Sequence, residues 1–263
     1  QSGKRAKPRT SVNKLSNWSL LHFNARSVCN KIDNITAEVT ISGASVICVT
    51  ETWLTVATPA AQYSIDGYRS YCNSRANMTG GGVMVFVRHD LAAAQLTPAI
   101  TVNDAFNVCA VVIGNRHNSV TVVVVYRAPW ASHDDTKVLC GQLDSIATHN
   151  GKRLIVVGDF NLPHMDWCRE TCASDSRTES LLRSLANEHG LLQLARLPTR
   201  ESALLDLVFV APTLSNCSVE DLPPIAGSDH NTQLLRIPYV IAPCSTKWKT
   251  VINYEHLAHT LSN

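Results

Sequence analysis

The 263-residue chain lacks several features that would place it in a specialised class of protein. No apolar run approaches the ~18 residues that a membrane-spanning helix needs. The first residues do not contain the apolar core of a signal peptide. Charged residues make up only 17% of the chain, a share that argues against a largely disordered protein. We therefore expect a soluble protein of the cytosol or nucleus that acts without a membrane.

The nine cysteines also lack a recognisable pattern. Their number is odd, and Cys168 and Cys172 form the one close pair, with no second pair of cysteines or histidines to complete a zinc site. Cys48 and Cys109 stand inside apolar runs, where a free cysteine behaves as a small hydrophobic residue. Reduced thiols in an intracellular protein are the simplest expectation.

The net charge of +2 is unevenly distributed. Residues 1–14 contain five basic and no acidic residues, whereas the rest of the chain is mildly acidic. We interpret residues 1–17 as a basic flexible tail, which would suit the neighbourhood of a polyanion. A solvated linker explains the same composition equally well.

Short apolar runs rich in β-branched residues predict strands at 18–23, 44–49, 82–87, 108–113, 119–126, 154–157, 204–210 and 232–240. Amphipathic patterns predict helices at 31–42, 134–149 and 177–189. The third helix should begin at a capping box of Ser176 and Glu179 and end before Gly190. Because strands outnumber helices and neighbouring strands form hairpin patterns, the sequence favours an α/β (α+β) four-layer sandwich, with two mixed sheets face to face and helices outside.

Polar residues recur where the predicted strands end, and an acid and a histidine stand directly before the last strand. They are Asn24, Glu51, Tyr126, Asp159, Asn161, Asp229 and His230. Strand ends are where α/β proteins place ligands. Carboxylate and amide oxygens without thiolates suit Mg²⁺ or Mn²⁺ better than Zn²⁺. Phosphoryl transfer uses such a metal, a base to activate water and donors for the transition state.

Taken singly, most of these residues have a structural explanation. Asn24 could cap a turn, Tyr126 could be a core aromatic with a hydrated hydroxyl, and Asp229 with His230 could be a surface pair. The segment GDFN at 158–161 is more specific, because two short polar side chains flank one apolar residue after a buried strand. The functional prediction therefore depends on the order and spacing of all the motifs together.

In that order the motifs resemble the endonuclease/exonuclease/phosphatase superfamily, which includes abasic-site endonucleases, DNase I and inositol-phosphate phosphatases. The matching residues are Asn24, Glu51, Tyr126, GDFN at 158–161, Asp206 and SDH at 228–230. The neighbouring segments are similar to the endonuclease domain of non-LTR (LINE-type) retrotransposons, closest to jockey-like and CR1-like elements. These segments are NARS at 24–27, ETWL at 51–54, YRAP at 126–129, PTR at 198–200 and LDLVF at 205–209.

The resemblance implies a divalent-metal-dependent DNA endonuclease with a DNase I-like fold. Such a domain nicks one strand of double-stranded DNA in the nucleus, and the freed 3′-hydroxyl primes reverse transcription. The cofactor would be Mg²⁺ or Mn²⁺, and the isolated domain would be a monomer. Residues 18–240 would form the endonuclease domain, and residues 241–263 a linker towards a fused reverse transcriptase.

The resemblance also assigns the metal ligands. Glu51 would be the main ligand, helped by Asn24 and Asp229. Arg26 stands where abasic-site repair enzymes carry an acidic ligand. This departure favours the retrotransposon branch and leaves fewer carboxylates around the metal.

The same resemblance assigns the catalytic roles. Asp159 would orient or deprotonate the attacking water, and Asn161 would hold the scissile phosphate. His230 would stabilise charge in the transition state, with its tautomer set by Asp206. Tyr126 would donate a hydrogen bond to a phosphate oxygen.

Five residues are predicted to contact DNA: Arg26, Arg127, Thr199, Arg200 and Ser202. The last three belong to a short turn before the Asp206 strand, and in the family this turn is a hairpin that probes the groove. Arginines and hydroxyls there could contact phosphates or base edges, and a solvated turn is the alternative. A turn this short predicts weak sequence preference, helped by DNA deformability.

Two other functions remain open from the sequence. A phosphatase of the same superfamily, acting on an inositol phosphate or another small phosphate ester, would share the segments at 158–161 and 228–230. A catalytically inactive DNA-binding module from a decayed element would not be expected to keep every catalytic residue type.

Overall fold

A computed structural model describes residues 18–58, 60–75, 80–96, 104–115, 118–167 and 176–239. The predicted tail at 1–17, the predicted linker at 241–263 and the pair Cys168 and Cys172 lie outside these ranges. Six cysteines within them are free thiols. None of the helices in these ranges is long and apolar enough to cross a membrane.

The described residues form twelve strands, three α-helices and three short 3₁₀ turns. The helices are α1 (Ile32–Ser42), α2 (His133–Asn150) and α3 (Arg177–Glu188). The strands are β1 (Trp18–Asn24), β2 (Val46–Thr50), β3 (Tyr68–Asn73), β4 (Val83–Arg88), β5 (Ala93–Gln95), β6 (Phe106–Asn115), β7 (Asn118–Arg127), β8 (Leu154–Asp159), β9 (Leu192–Gln193), β10 (Asp206–Val210), β11 (Ser218–Leu222) and β12 (Thr232–Ile237).

Two six-stranded mixed sheets pack face to face, as the sequence predicts. The first has the order β11-β12-β1-β2-β4-β3 and the second β5-β6-β7-β8-β10-β9. The pairs β1–β2 and β7–β8 are parallel, and the other pairs are antiparallel. Buried residues of both sheets, such as Leu20 and Val85 with Val123, share one apolar core.

The helices cover the outer faces of the two sheets. Ile35 and Val39 of α1 pack with Leu21 and Phe86 on the first sheet. Apolar residues of α2 and α3 lie against the second sheet; they include Leu143, Leu182 and Leu185, beside Val156 and Phe209. The predicted four-layer architecture is confirmed. Apolar residues on both faces of β7 are buried because this strand lies between the first sheet and these helices.

The four strands that the sequence does not predict all lie at sheet edges: β3 and β11 in the first sheet, β5 and β9 in the second. An edge strand is partly hydrated, so it does not need a continuous apolar run. The edge strand Ser218–Leu222 is an example: it mixes polar and apolar residues, and all five are at least partly exposed. The predicted strand at 204–210 is shorter than expected and begins at Asp206.

Candidate active site

The parallel strand pairs bring the predicted site residues to one rim of the sandwich. In the first sheet Asn24 lies beside Thr50, the residue before Glu51. In the second sheet Asp159 lies between Tyr126 and Asp206 of the neighbouring strands. The two rims meet, because Asn24 Nδ2 donates a hydrogen bond of 3.0 Å to Asp159 Oδ2 across the sandwich.

Glu51 follows the end of β2 in a strained backbone conformation, with a φ of 51°. Both oxygens of its carboxylate have donors. Asn24 Nδ2 lies 3.3 Å from Oε1, and the Trp53 indole Nε1 donates to Oε2 at 2.8 Å. The carboxylate is thus held in one orientation at the edge of the solvent.

Asp159 is buried, and both of its carboxylate oxygens accept hydrogen bonds. Asn161 N donates to Oδ1 at 3.1 Å, and Asn24 Nδ2 donates to Oδ2. Burial raises its pKa well above the usual value, and the negative charges of Asp206 and Glu51 add to the rise. A carboxylate with a raised pKa is suited to accept a proton from water.

Asp206 and His230 form a buried pair, with His230 Nδ1 2.7 Å from Asp206 Oδ2. Burial alone would lower the pKa of His230, but the hydrogen bond to Asp206 and its charge outweigh burial and raise it. Burial would raise the pKa of Asp206, and the bond and charge of His230 lower it instead. The pairing directs the Nδ1 proton towards the carboxylate and leaves Nε2 of His230 for another partner.

We predict that Asp206→Asn lowers the pKa of His230, since the carboxylate that raises it is removed while burial, which lowers it, remains. The check is an NMR titration of the imidazole resonances without metal, with His230 assigned through a His230→Gln variant. An unchanged His230 pKa in Asp206→Asn would contradict the pairing.

A buried polar network supports Asp206 from within the core. His22 Nδ1 lies 3.2 Å from Gln233 Oε1, and Gln233 Nε2 donates to the carbonyl of Asp206 at 3.0 Å. Burial lowers the pKa of His22 and favours its neutral form. The sequence did not single out either residue, because each stands within a strand pattern of apolar neighbours.

Arg127, predicted to contact DNA, is buried. Its guanidinium donates to Thr136 Oγ1 at 2.8 Å and to the carbonyl of Ala131 at 2.7 Å. Asn161 Nδ2 in turn donates to the Arg127 carbonyl at 2.8 Å. The predicted DNA contact of Arg127 is therefore not supported by its placement, and the residue instead fixes the loop after β7 beside Asn161.

The turn predicted to probe DNA contains one buried and two exposed residues of the predicted DNA-binding set. The Thr199 hydroxyl is buried and accepts from the backbone N–H groups of Leu205 and Asp206, each at 3.1 Å. Its placement supports a role in holding Asp206, not the predicted DNA contact. Arg200 and Ser202 are exposed at the tip of the turn.

Asp229 does not join the other predicted metal ligands in this structure. Its carboxylate pairs with Arg200 Nη2 at 2.8 Å and with Arg26 Nη1 at 3.6 Å. The carboxylate that the family resemblance assigned to the metal is therefore bound by two arginines.

Two groups of residues could hold a divalent cation. Ligand atoms of Asp159, Asp206 and His230 lie within 4.8 Å of one another. However, Asp206 and His230 already bind each other and are almost fully buried. Mg²⁺ retains several water ligands and so needs an open position. Glu51 is partly exposed at the rim, so its carboxylate fits the cation better. Asn24 presents Nδ2 to Glu51 and Asp159, while its Oδ1 accepts from Arg26 N.

Two functional side chains were missed by the sequence analysis. Trp53 belongs to the ETWL segment, but the sequence assigns it no role of its own, whereas its indole orients Glu51. Arg75 lies 5.3 Å from the ring centroid of Tyr126, and 5.9 Å from that of Trp130. Burial and the charge of Glu51 raise the pKa of Tyr126, so its hydroxyl keeps its proton and remains a donor. The sequence pattern could not indicate the contact of Arg75 with Tyr126, because the two residues are far apart in the chain.

We predict that Trp53→Phe weakens Mn²⁺ binding about tenfold, because the partner that orients the metal-binding carboxylate is lost. Mn²⁺ affinity is measured directly by electron paramagnetic resonance without DNA. Trp130→Phe is the matched control, since Trp130 is an exposed indole near the site that does not orient Glu51. Equal Mn²⁺ affinities in the two variants would contradict the role of Trp53.

A cluster of oriented carboxylates beside an Asp–His pair, at the rim of two packed sheets, is suited to metal-assisted hydrolysis of phosphate esters. Residues 18–230 match the endonuclease/exonuclease/phosphatase family, and the chain belongs to that family. No curated protein sequence matches the chain.

Solved structures with the same fold include three proteins that are described by different activities. The endonuclease domain of TRAS1, a telomere-specific non-LTR retrotransposon, is 21% identical with a TM-score of 0.66, over 84% of this chain and 98% of that one. The AP endonuclease of Leishmania major is 14% identical with a TM-score of 0.67, over 84% and 87%. A mannosyl-6-phosphatase of Bacteroides thetaiotaomicron is 12% identical with a TM-score of 0.58, over 84% and 100%. At these identities the likeness establishes the shared DNase I-like fold.

Proposed function

We propose that this protein is a divalent-metal-dependent endonuclease that nicks one strand of double-stranded DNA in the nucleus. The nick leaves a 3′-hydroxyl, which primes reverse transcription by a fused reverse transcriptase of a non-LTR retrotransposon. The observation that carries the proposal is the hydrogen-bonded link of Asn24 to both Glu51 and Asp159, beside the Asp206–His230 pair.

Hydrolysis begins at Asp159. Its carboxylate accepts a proton from a water molecule, and the water oxygen forms a bond to phosphorus. The bond from phosphorus to the 3′ oxygen breaks, and that oxygen takes up a proton to become the 3′-hydroxyl. The raised pKa of Asp159 favours the first proton transfer.

The other side chains bind and stabilise the phosphate. His230 donates from Nε2 to a phosphate oxygen as charge develops, and Asp206 fixes the tautomer that makes this possible. Tyr126 and Asn161 contribute further donors. Glu51, with Asn24 beside it, would hold Mg²⁺ or Mn²⁺, which supplies positive charge that neutralises the phosphate.

Two observations favour DNA and the retrotransposon over a small phosphate ester. The segments at 24–27, 51–54, 126–129, 198–200 and 205–209 resemble that branch. Arg26 and Arg200 also place two exposed positive charges beside the site, where a polyanion would pass. The solved structure of the TRAS1 endonuclease domain is consistent with this proposal.

The test uses an end-labelled duplex oligonucleotide with Mg²⁺, followed by extension of the product with a polymerase. We expect a single-strand cut whose 3′ end is extended, which requires a free hydroxyl. Release of inorganic phosphate from soluble phosphate monoesters, with the duplex left intact, would overturn the proposal in favour of a phosphatase.

A further inference from the structure

Two arginines from distant parts of the chain converge on one carboxylate at the rim of the site. Arg200 Nη2 lies 2.8 Å and Arg26 Nη1 lies 3.6 Å from the same atom, Asp229 Oδ2. The arginine side chains are 43% and 58% exposed, so both are accessible to a ligand. The three side chains carry a net charge of +1, enough to attract one phosphate.

Stability does not explain this arrangement. An exposed ion pair typically contributes little to stability because solvent screens it, and here two cations are held close together at a cost in repulsion. By contrast, an arginine pair with free donors is the usual means of binding a phosphate through several hydrogen bonds. The arrangement is therefore better explained by a ligand than by folding.

The backbone holds both arginines beside the catalytic groups. The backbone N–H of Arg26 donates to Asn24 Oδ1 at 3.0 Å, and Lys31 Nζ donates to the Arg26 carbonyl at 3.0 Å. Arg200 sits in a tight turn in which its backbone N–H and carbonyl both bond to Ala203. Asp229 directly precedes His230. A phosphate held by the two arginines would therefore lie next to the one that reacts.

We propose that Arg26 and Arg200 together bind one DNA backbone phosphate adjacent to the scissile phosphate, with Asp229 as the counter-ion that holds the two guanidinium groups together. This proposal rests on the proposed function for its ligand. It reassigns Asp229, which the sequence placed among the metal ligands: its carboxylate belongs to the arginines, and Glu51 holds the cation without it.

The first test measures binding of a fluorescein-labelled duplex of about 20 base pairs in EDTA, as a function of salt. We expect Arg26→Ala and Arg200→Ala each to weaken binding about five- to tenfold and to lower the salt slope by about 0.9, the value for one phosphate. Because the arginines share that phosphate, the double variant should lower the slope by about 0.9 as well, and not by twice that amount.

The matched control is Arg236→Ala. Arg236 forms an exposed pair with Glu220 at 2.6 Å, and it lies at the opposite end of β12 from the site. Its removal should leave both affinity and salt slope unchanged.

The second test measures Mn²⁺ affinity by electron paramagnetic resonance without DNA. We expect Asp229→Asn to match the wild type within about twofold, and Glu51→Gln to lose binding by at least about tenfold. Loss of Mn²⁺ binding in Asp229→Asn equal to that in Glu51→Gln would overturn the proposal. So would unchanged duplex affinity and slope in the arginine variants. Neither test needs catalysis, so a wild-type protein that binds duplex DNA without nicking it would contradict the proposed function alone.

Discussion

Replacement of Asp159 by asparagine is expected to lower the rate of DNA nicking by about 10²- to 10⁴-fold, the usual contribution of a general base. Asparagine preserves the shape of the side chain and still accepts the hydrogen bond from Asn161 N at the Oδ1 position. It cannot accept a proton from water. Nicking of supercoiled plasmid is measured under single-turnover conditions, so that the chemical step is observed.

The matched control for Asp159→Asn is Asp144→Asn. Asp144 also bonds a histidine, with His189 Nε2 at 2.8 Å, but it lies on α2 away from the rim. Its replacement should leave nicking unchanged. By contrast, His230→Ala should abolish nicking while the circular-dichroism spectrum shows that the fold is retained. Wild-type nicking by Asp159→Asn or by His230→Ala would mean that the site is misassigned.

The largest effect on stability is expected from Gly158→Ala, directly before Asp159. Gly158 has a φ of 152°, and a Cβ built there would lie 1.9 Å from the carbonyl oxygen of Val125. Val125 is the partner of Gly158 in the β7–β8 ladder, so the oxygen cannot move without breaking the pairing. We expect the free energy of unfolding to fall by at least about 3 kcal/mol, measured by urea denaturation.

Gly141→Ala is the control for this prediction. Gly141 lies in α2, and a Cβ there would meet nothing within 4 Å. Alanine in an exposed helix position should raise stability by about 0.5–1 kcal/mol. If Gly158→Ala unfolded at the same urea concentration as the wild type, the close approach of β7 and β8 would be wrong.

The sequence predicted the parts of the fold that depend on continuous apolar patterns. The central strands β1, β7 and β8 are buried on both faces, so their composition alone indicates strands. The polar residues after them could then be predicted to meet, because the ends of parallel strands lie at the same edge. The capping box predicted at Ser176 and Glu179 is confirmed at the start of α3.

The edge strands and several side-chain placements could not be predicted, because they depend on contacts between residues far apart in sequence. Edge strands such as β3 and β11 are partly hydrated and have no continuous apolar pattern. Arg127 and Thr199 are residue types that commonly bind DNA at an exposed surface. Only the folded chain reveals that both are buried and bonded to internal partners. The pairing of Asp229 with Arg26 likewise joins two ends of the chain.

The central claim is that the rim cluster around Asn24 hydrolyses phosphodiester bonds of DNA with a divalent cation. The most direct measurement is the conversion of supercoiled plasmid to the open-circular form by the purified protein, with Mg²⁺ and with EDTA. We predict open-circular plasmid with Mg²⁺, none with EDTA, and almost none with Asp159→Asn. Plasmid that remains supercoiled at all Mg²⁺ and Mn²⁺ concentrations would contradict the claim.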